Sequence, residues 1–206
     1  MKDLQRLDDP ETRPYHHGSL REAALREAHR ILARKGADAI TLRAIARGVG
    51  VTPNALYRHF KDKNALLAKL AEEGFRELWE AFRAIRAKDP GKRFRQIANA
   101  YVQFGATKSA VLQLMFEQNI SKASKDSGLE QAAKRAFMEL LTAAAAAADI
   151  PVESRESMQL AIACWSLVHG YTTLQTKGAF DFVEPPHGIE TVARFIELDP
   201  GRWPSS

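Results

Sequence analysis

The chain has 206 residues, 45% of them apolar, and a formal net charge of +5, which allows one large or two small domains with a substantial core. Its single cysteine, Cys164, excludes a disulfide framework and a cysteine-rich metal site and suits a reducing compartment. The first fourteen residues contain acidic side chains and lack the apolar core of a signal peptide, so we expect a cytoplasmic protein.

The positive charge is unevenly distributed along the chain. Between residues 11 and 70, twelve Lys and Arg residues stand against five Asp and Glu residues, an excess of seven, so the remainder of the chain carries −2. A basic N-terminal region beside a slightly acidic remainder indicates a polyanionic partner such as a nucleic acid. The alternative at this point is a solvated basic face with no partner.

The basic region begins with one predicted helix. Ser19 and Glu22 form a capping box that would start this helix. Lys35-Gly36 would end it, because glycine readily adopts the left-handed conformation that follows many helices. The apolar stripe of this helix consists of Ala24, Leu25, Ala28, Ile31 and Leu32.

Two shorter helices joined by a glycine follow. Thr41 is placed to cap a helix from Leu42 to Val49, and Gly50 makes the turn after it. Thr52 then caps the third helix, with Pro53 at the first helical position, where a missing N–H costs nothing. Two short helices with a tight turn, braced by the first helix, predict a helix-turn-helix.

The rest of the chain is also predicted to be helical, and it shows no strand pattern and no internal repeat. A long fourth helix runs to about Lys88 and is broken by Asp89-Pro90-Gly91, and residues Asn119 to Asp126 form a polar loop. Further helices are predicted for Arg93 to Thr107, Ser109 to about Gln118, Ser127 to Ala148 (opened by a Ser127–Glu130 capping box), Ser154 to Lys177, and a last one marked by Ile189, Val192, Phe195 and Ile196. The predicted fold class is all-α, with a small basic three-helix head and a larger C-terminal helical bundle, the body.

The longest uncharged stretch lies between Glu156 and Lys177 and is long enough to span a bilayer. Several polar side chains interrupt it, and lipid would leave their hydrogen-bonding groups unpaired. We therefore predict a helix in the core of the bundle. The interrupting residues are Gln159, His169, Thr172, Thr173, Gln175 and Thr176.

One face of the third helix is predicted to make no packing contacts within the head. Leu56 and Phe60 are its only large apolar residues at helical spacing, and we expect both to face the second helix. They would meet the apolar side of that helix, which consists of Leu42, Ile45, Ala46 and Val49. The side chains left outward are Pro53, Asn54, Tyr57 and Arg58. A helix of this kind enters the DNA major groove with its N-terminal residues at the base edges.

The outward side chains have the chemistry needed to read DNA. Arg58 can form a bidentate pair with guanine, and Asn54 can do so with adenine. The side chains suited to phosphate oxygens are Tyr57, His59, Lys63 and Thr41. The alternative is that Tyr57 and His59 merely lie at a domain boundary.

Two stretches resemble the DNA-binding domain of the TetR family of transcriptional regulators. They are YHHGSLREAA, from Tyr15 to Ala24, and TLRAIARGVGVTPNALYRHFKDKNALL, from Thr41 to Leu67. The L-Y-x-H-F-x-x-K core of the second stretch is highly specific. The segment from Trp165 to Gly170 is similar to the W-x-x-x-H-G motif of one C-terminal domain type of that family. Two residues, Pro53 and Ala55, depart from the pattern of this family. They do not change the expected fold, but they alter the expected pattern of base contacts.

The resemblance implies a DNA-binding domain over residues 15–75 and a ligand-binding and dimerisation domain over residues 76–206. It also implies a homodimer that binds a near-palindromic DNA operator and acts as a repressor released by a small-molecule effector. The DNA-contacting residues are expected to be Thr41, Arg43, Thr52, Pro53, Asn54, Ala55, Tyr57, Arg58, His59 and Lys63. The candidate ligand-pocket residues are Tyr101, Phe104, Met115, Phe116, Trp165 and His169.

Dimerisation is expected through the helices near Ser154 to Lys177 and Ile189 to Leu198. Both carry apolar surface beyond what one bundle should need. The stripe of the first helix that would face the second subunit consists of Ala161, Trp165, Val168 and Thr172.

No enzyme, metal or cofactor function is expected. Cys164 and His169 lie five residues apart on one helix and so point in different directions, and the adjacent His16 and His17 lack the spacing of a metal pair. Gly48 and Gly50 are not followed by the lysine, or preceded by the strand, of a phosphate-binding loop. The remaining rival is a DNA architectural protein, which would share the basic head but need no pocket.

Overall fold

The computed structural model describes residues 17–117 and 128–182. Within these ranges the regular structure is entirely helical, without a strand, which confirms the all-α prediction. The eight α-helices are α1 (His17–Lys35), α2 (Leu42–Val49), α3 (Pro53–Tyr57), α4 (Lys63–Ala84), α5 (Pro90–Thr107), α6 (Ser109–Met115), α7 (Gly128–Ala148) and α8 (Arg155–Thr176), with a 3-10 turn at Ala37–Ala39. None of these helices is long and apolar enough to cross a membrane.

Local capping chemistry sets the start and end of α2. The Thr41 hydroxyl oxygen accepts a hydrogen bond from the Ala44 N–H at 3.0 Å, which satisfies one of the unpaired N–H groups of the first turn. Gly50 follows α2 with φ of 77°, a left-handed conformation that residues with a Cβ atom disfavour. Both features were predicted, and together they aim α3 across α2.

The start of α1 was predicted wrongly. The helix is already formed at His17, two residues before the predicted capping residue Ser19. Helix α3 begins as expected, with Thr52 at the cap position and Pro53 first, but the Thr52 side chain makes no capping hydrogen bond.

The break between α4 and α5 also lies earlier than predicted. Helix α4 ends at Ala84 and not near Lys88. Asp89 is the N-cap of α5, where its carboxylate accepts from the Lys92 N–H at 2.6 Å, and Pro90 occupies the first helical position. Asp-Pro therefore opens the next helix here, because an acceptor side chain and a fixed φ both favour a helix start.

The body is built from α5, α7 and α8 with the C-terminal half of α4, and glycines allow two close contacts within it. A Cβ atom added to Gly105 in α5 would collide with Cγ2 of Thr172 in α8. A Cβ atom at Gly74 in α4 would lie 2.7 Å from the sulfur of Met115 in α6. These positions therefore bring α5 against α8 and α6 against α4 at less than ordinary side-chain distance.

Helix α8 forms one wall of the body. The Ser154 hydroxyl caps it by accepting from the Ser157 N–H at 3.0 Å, and Gly178 follows its end with φ of 71°. Its buried side includes Ala161, Val168 and Thr172. The stripe predicted to face a second subunit thus packs inside the chain's own bundle, and that part of the prediction is wrong.

Some predictions fall where the structure makes no statement. The loop from Asn119 to Asp126, the capping residue Ser127 and the last helix, with Ile189, Val192, Phe195 and Ile196, lie outside the described residues. The predicted domain boundary between residues 75 and 76 falls inside α4, which runs continuously from the head into the body.

Candidate nucleic-acid interface and body cavity

Helix α3 is anchored by two buried residues and exposes the rest of its surface. Leu56 is fully buried and Phe60, just beyond the helix, is 3% exposed. They contact a core that includes Leu42, Ile45 and Ala46 of α2. On the opposite side, the exposed residues are Thr52, Pro53, Asn54, Tyr57 and Arg58. This division of α3 into an anchored side and an outward side is the one predicted from the sequence.

Two predicted contact residues of this segment are less accessible. Ala55 packs partly against the core of the head, and His59 is half-buried. Their side chains therefore present less surface than their neighbours Asn54 and Arg58. The assignment of all these residues to DNA contacts stays a prediction.

The exposed basic side chains of the head include Arg43, Arg47, Arg58 and Lys61. None of the four forms an ion pair with another residue in the described part of the chain. A basic residue outside this group, Arg21 of α1, lies over the Phe60 ring at 5.6 Å from its centroid. Uncompensated cations beside an outward helix create the positive potential that attracts a phosphate backbone.

Two predicted phosphate ligands flank α2 and α3. Thr41 uses its hydroxyl oxygen as the acceptor for Ala44, so its O–H remains able to donate. Lys63, the first residue of α4, is half-buried and donates to the carbonyl oxygen of Asp38 at 3.4 Å. An ammonium group has three N–H donors, so this contact leaves donors for a phosphate oxygen.

The body contains a small apolar cavity. It lies between α4, α5, α7 and α8, and its walls are almost entirely apolar. Its lining residues are Phe82, Phe94, Ile97, Ala98, Tyr101, Ala136, Leu140, Cys164, Trp165 and Val168. An apolar space with a few polar atoms is typical of small-molecule sites.

Two of the six predicted pocket residues, Tyr101 and Trp165, line this cavity. Phe104 and Met115 are buried elsewhere in the core. Phe116 and His169 are not among the lining residues; the Phe116 ring is 4.5 Å from that of His169 and 6.0 Å from that of Trp165, centroid to centroid. The other eight lining residues were missed, because helical periodicity marks them only as ordinary core.

A short chain of polar contacts borders the cavity. The Tyr101 hydroxyl oxygen lies 2.7 Å from Nδ1 of His169, and Nε1 of Trp165 points to the same oxygen at 3.4 Å. The Trp165 indole also stacks on Phe137, with ring centroids 5.2 Å apart. The Tyr101 hydroxyl oxygen is therefore the common hydrogen-bonding partner of His169 and Trp165.

Burial keeps the ionisable groups near the cavity uncharged. Desolvation raises the pKa of the Cys164 thiol to about 11 and raises the pKa of Tyr101. Desolvation lowers the pKa of His169, which favours the neutral imidazole. At neutral pH the cavity thus faces no formal charge from these three residues.

A second cleft lies between α4 and α7 and differs in chemistry. Arg76 and Arg135 are both exposed there, and the Arg135 guanidinium lies 5.7 Å from the centroid of Trp79. The lining residues are Glu72, Arg76, Trp79, Gly128, Gln131, Ala132 and Arg135. Its charged lining sets it apart from the body cavity.

Metal chemistry finds no support in the described residues. They contain no group of three or more His, Cys, Asp or Glu side chains that could hold a metal ion.

Comparison with known proteins identifies the class to which the head and body belong. Residues 24–70 match the family described as "Bacterial regulatory proteins, tetR family". Residues 94–197 match the domain described as "Tetracyclin repressor-like, C-terminal domain". The two matches cover the head and the greater part of the body, and the chain therefore belongs to the TetR family of bacterial regulatory proteins.

Individual relatives agree with this assignment. The chain is 33% identical to a protein of unknown function from Rhodococcus sp. RHA1, with a TM-score of 0.71 over 89% of this chain and 94% of that one. It is 48% identical over 52 residues to the tetracycline repressor protein class C of Escherichia coli, a match that covers 25% of this chain and only 24% of that relative's length. The TetR family transcriptional regulator PfmR of Thermus thermophilus shares the fold, with a TM-score of 0.60 at 19% identity over 86% of this chain and 97% of that one.

Proposed function

We propose that this protein is a DNA-binding transcriptional regulator, a repressor that a small-molecule effector releases from its operator. The observation that carries the proposal is the two-sided α3: Leu56 anchors it in the core, while Asn54 and Arg58 point outward. An amide and a guanidinium on one exposed helix match the hydrogen-bonding patterns of adenine and guanine in the major groove. Such a protein acts where the DNA is, in the bacterial cytoplasm, and needs no catalytic group.

The head supplies phosphate contacts as well as base contacts. The Thr41 hydroxyl and the Lys63 ammonium flank the outward helix, and the exposed Arg43 lies on α2 between them. Phosphate contacts fix the position of the helix in the groove and carry no sequence information themselves. We therefore propose that Thr41, Arg43, Tyr57 and Lys63 contact phosphates and fix the position of the helix in the groove. Asn54 and Arg58 would contact the base edges and read the sequence.

The body supplies the effector site and favours a regulator over an architectural protein. The small cavity in the body is walled by aromatic and aliphatic side chains, a lining of the kind that small-molecule sites have and that a simple spacer does not need. Trp165 and Tyr101 line it, and we propose that they contact the effector. Because α4 runs from this cavity into the head, a change in the body can alter the position of the head.

The second subunit is proposed to pack on the outer face of α8. Apolar side chains are exposed on this helix at Met158, Ile162, Leu167 and Leu174. Gly170 has open space around the position of an added Cβ, so nothing within the described part of the chain requires glycine there. A symmetric interface on this face, burying at least ~1,000 Å² in all, would give two heads that read a near-palindromic operator.

Genomic footprinting with the purified protein tests the proposal. We expect protected near-palindromic sites that overlap promoters, and loss of protection with Arg58→Ala. Protection of DNA without sequence preference would instead support the architectural alternative. Absence of any protection at low salt would rule out DNA binding altogether.

A further inference from the structure

We infer that the cleft between α4 and α7 binds the carboxylate group of a small organic acid between the guanidinium groups of Arg76 and Arg135. The inference is independent of the body cavity and of the proposed DNA contacts. Its basis is a pair of arginines that line one open space from two neighbouring helices.

The contacts between α4 and α7 show how the two arginines are placed. A Cβ atom added to Gly128 of α7 would lie 2.8 Å from the carboxyl carbon of Glu72 in α4. Further along both helices, the Arg135 guanidinium lies 5.7 Å from the centroid of the Trp79 ring. Both steps, from Glu72 to Trp79 and from Gly128 to Arg135, are seven residues, so the helices run in the same direction. Arg76 lies about 4.5 Å before Trp79 along the axis of α4 and therefore lies across the cleft from Arg135, within one helical turn.

Both guanidinium groups keep hydrogen-bond donors free. Arg135 is exposed and forms no ion pair within residues 17–117 and 128–182. The Trp79 ring beneath it offers no acceptor atom, since an indole nitrogen is only a donor. Arg76 approaches a Glu80 carboxylate oxygen only through Nε, at 4.0 Å, and both side chains are more than half exposed. The terminal N–H groups of both arginines are therefore available to a ligand.

The charges of the lining favour a ligand with a single negative charge. Arg76 and Arg135 contribute two positive charges to the lining, and Glu72 contributes one negative charge. The Glu72 carboxylate lies beside Gly128, the first residue of α7, and contacts the Lys69 ammonium, so it already has a cation of its own. A monoanion balances the net charge of the lining. A dianion would exceed that charge and be repelled more strongly by Glu72.

The shape of the donors and the space between them indicate a carboxylate on a short apolar chain. A guanidinium group is a planar fork that can pair with both oxygens of a carboxylate. The cleft has a volume of about 120 Å³, several times the space that one water molecule needs. Its surface is divided almost evenly between polar and apolar atoms, and Trp79 and Ala132 contribute to the apolar part. A short alkyl chain can contact these residues while its carboxylate meets the arginines.

The test compares three compounds that share a propyl group: butyrate, butyramide and propyl phosphate. Each is titrated at about pH 7.5 and constant ionic strength into the full-length protein without DNA, and the indole N–H resonance of Trp79 is followed by NMR. Trp79→Phe identifies this resonance by its disappearance. We expect butyrate to shift it saturably and to bind about tenfold more tightly than butyramide, because a charge-assisted hydrogen bond is lost with the amide. Propyl phosphate, mainly a dianion at this pH, should bind more weakly than butyrate.

Variants assign the binding to the two arginines. Arg76→Gln and Arg135→Gln should each weaken butyrate binding about tenfold. Arg135→Lys keeps the charge without the planar fork and should recover only part of the loss. Arg26→Gln is the matched control, since Arg26 is an exposed arginine of α1, outside the cleft, and its loss should leave the butyrate affinity unchanged.

Four outcomes would overturn the inference. The first is that none of the three compounds shifts the Trp79 resonance. The second is equal binding of butyrate and butyramide, and the third is tighter binding of propyl phosphate than of butyrate. The fourth is that Arg76→Gln and Arg135→Gln bind butyrate no more weakly than Arg26→Gln does. None of these titrations contains DNA, so they test the carboxylate site separately from the proposed regulator.

Discussion

The hydroxyl oxygen of Tyr101 in α5 lies 2.7 Å from Nδ1 of His169 in α8, and the two side chains join helices through residues that are 68 positions apart in the chain. His169 accepts this hydrogen bond only while its imidazole is neutral, since a protonated ring has two donors and no acceptor. Burial lowers the pKa of His169 from its ordinary value of 6.5. The direction of this hydrogen bond, and the cost of charging His169 where it is partly buried, therefore depend on pH.

The first prediction concerns the stability of the body at acidic pH. Because the pKa of His169 is lower in the folded chain than in the unfolded chain, the unfolded state binds more protons as the pH falls through about 6.5. Stability from this residue is complete above that pH and is lost below it. Asparagine keeps an acceptor near the Nδ1 position and cannot titrate. The unfolding free energy of the wild type, measured in urea, should therefore fall relative to that of His169→Asn between about pH 7.5 and about pH 5.5.

Parallel pH profiles for the wild type and His169→Asn would contradict this prediction. The comparison with the variant is needed because other groups also change protonation as the solution is acidified. Glu73, for example, loses solvation but has its pKa lowered overall by its hydrogen bond to His29 and by nearby positive charges. These effects are common to both proteins and cancel in the difference.

The second prediction concerns the base-reading side chains. Arg58→Ala should cost ~1–3 kcal/mol on the matched operator and relax the preference at one base pair, since a bidentate contact is lost. Asn54→Ala should do the same at another position. Arg76→Ala is the matched control, because it removes one exposed positive charge from α4 and not from the α3 segment. The measurement is the affinity for the operator and for duplexes with single base changes.

The third prediction separates charge from hydrogen bonding at the phosphates. Lys63→Ala should weaken binding to all sequences alike and reduce the salt slope of binding by about one unit, because one fewer counterion is released. Tyr57→Phe should weaken binding without changing that slope, since its hydroxyl is neutral. Titrations of operator and scrambled duplexes over a salt series measure both. An unchanged slope in Lys63→Ala, with Arg58→Ala harming both duplexes equally, would mean that the two roles are reversed.

The elements that sequence predicted well are those fixed by a few neighbouring atoms. Thr41, Gly50 and Pro53 each act on the backbone within one turn, so their effect can be deduced without knowing the rest of the fold. Asp89 has the same local effect, but its carboxylate and Pro90 suit a helix start as well as a break. In the structure Asp89 and Pro90 start α5, whereas the sequence analysis predicted that they break α4.

The parts that sequence did not predict depend on which helices meet. The periodicity of Ala161, Val168 and Thr172 correctly marks a buried stripe of α8, but it does not say whether the burying surface comes from the same chain or a second one. In the same way, Tyr101 and Phe104 share one face of α5, yet only Tyr101 borders the cavity. The lining of a cavity is set by helix packing angles, which no single helix encodes.

The fourth prediction concerns the close contact between α5 and α8. Gly105→Ala would place a methyl group against Cγ2 of Thr172, in a packed region with little room to move. We expect it to lower the free energy of unfolding by ~1–3 kcal/mol. Thr172→Ser removes that methyl group and keeps the hydroxyl that donates to the Val168 carbonyl oxygen at 2.7 Å.

The double variant provides the control for this contact. Gly105→Ala combined with Thr172→Ser should recover part of the lost stability, since the added methyl group takes the place of the removed one. Denaturant unfolding of the wild type, both single variants and the double variant gives the coupling energy. Strictly additive losses would show that the two residues are not in the contact described.

The last prediction concerns the proposed dimer. Ile162 is 53% exposed on the outer face of α8, and Ile162→Glu should place a charge in the centre of the subunit interface. Light scattering at micromolar concentration should then report a monomer in place of the wild-type dimer, and operator affinity should fall because only one head binds at a time. Met138→Glu is the matched control, since Met138 is 47% exposed on α7 and not on α8, and this variant should leave a dimer. A wild-type monomer, or a dimer that survives Ile162→Glu but not Met138→Glu, would move the interface away from α8.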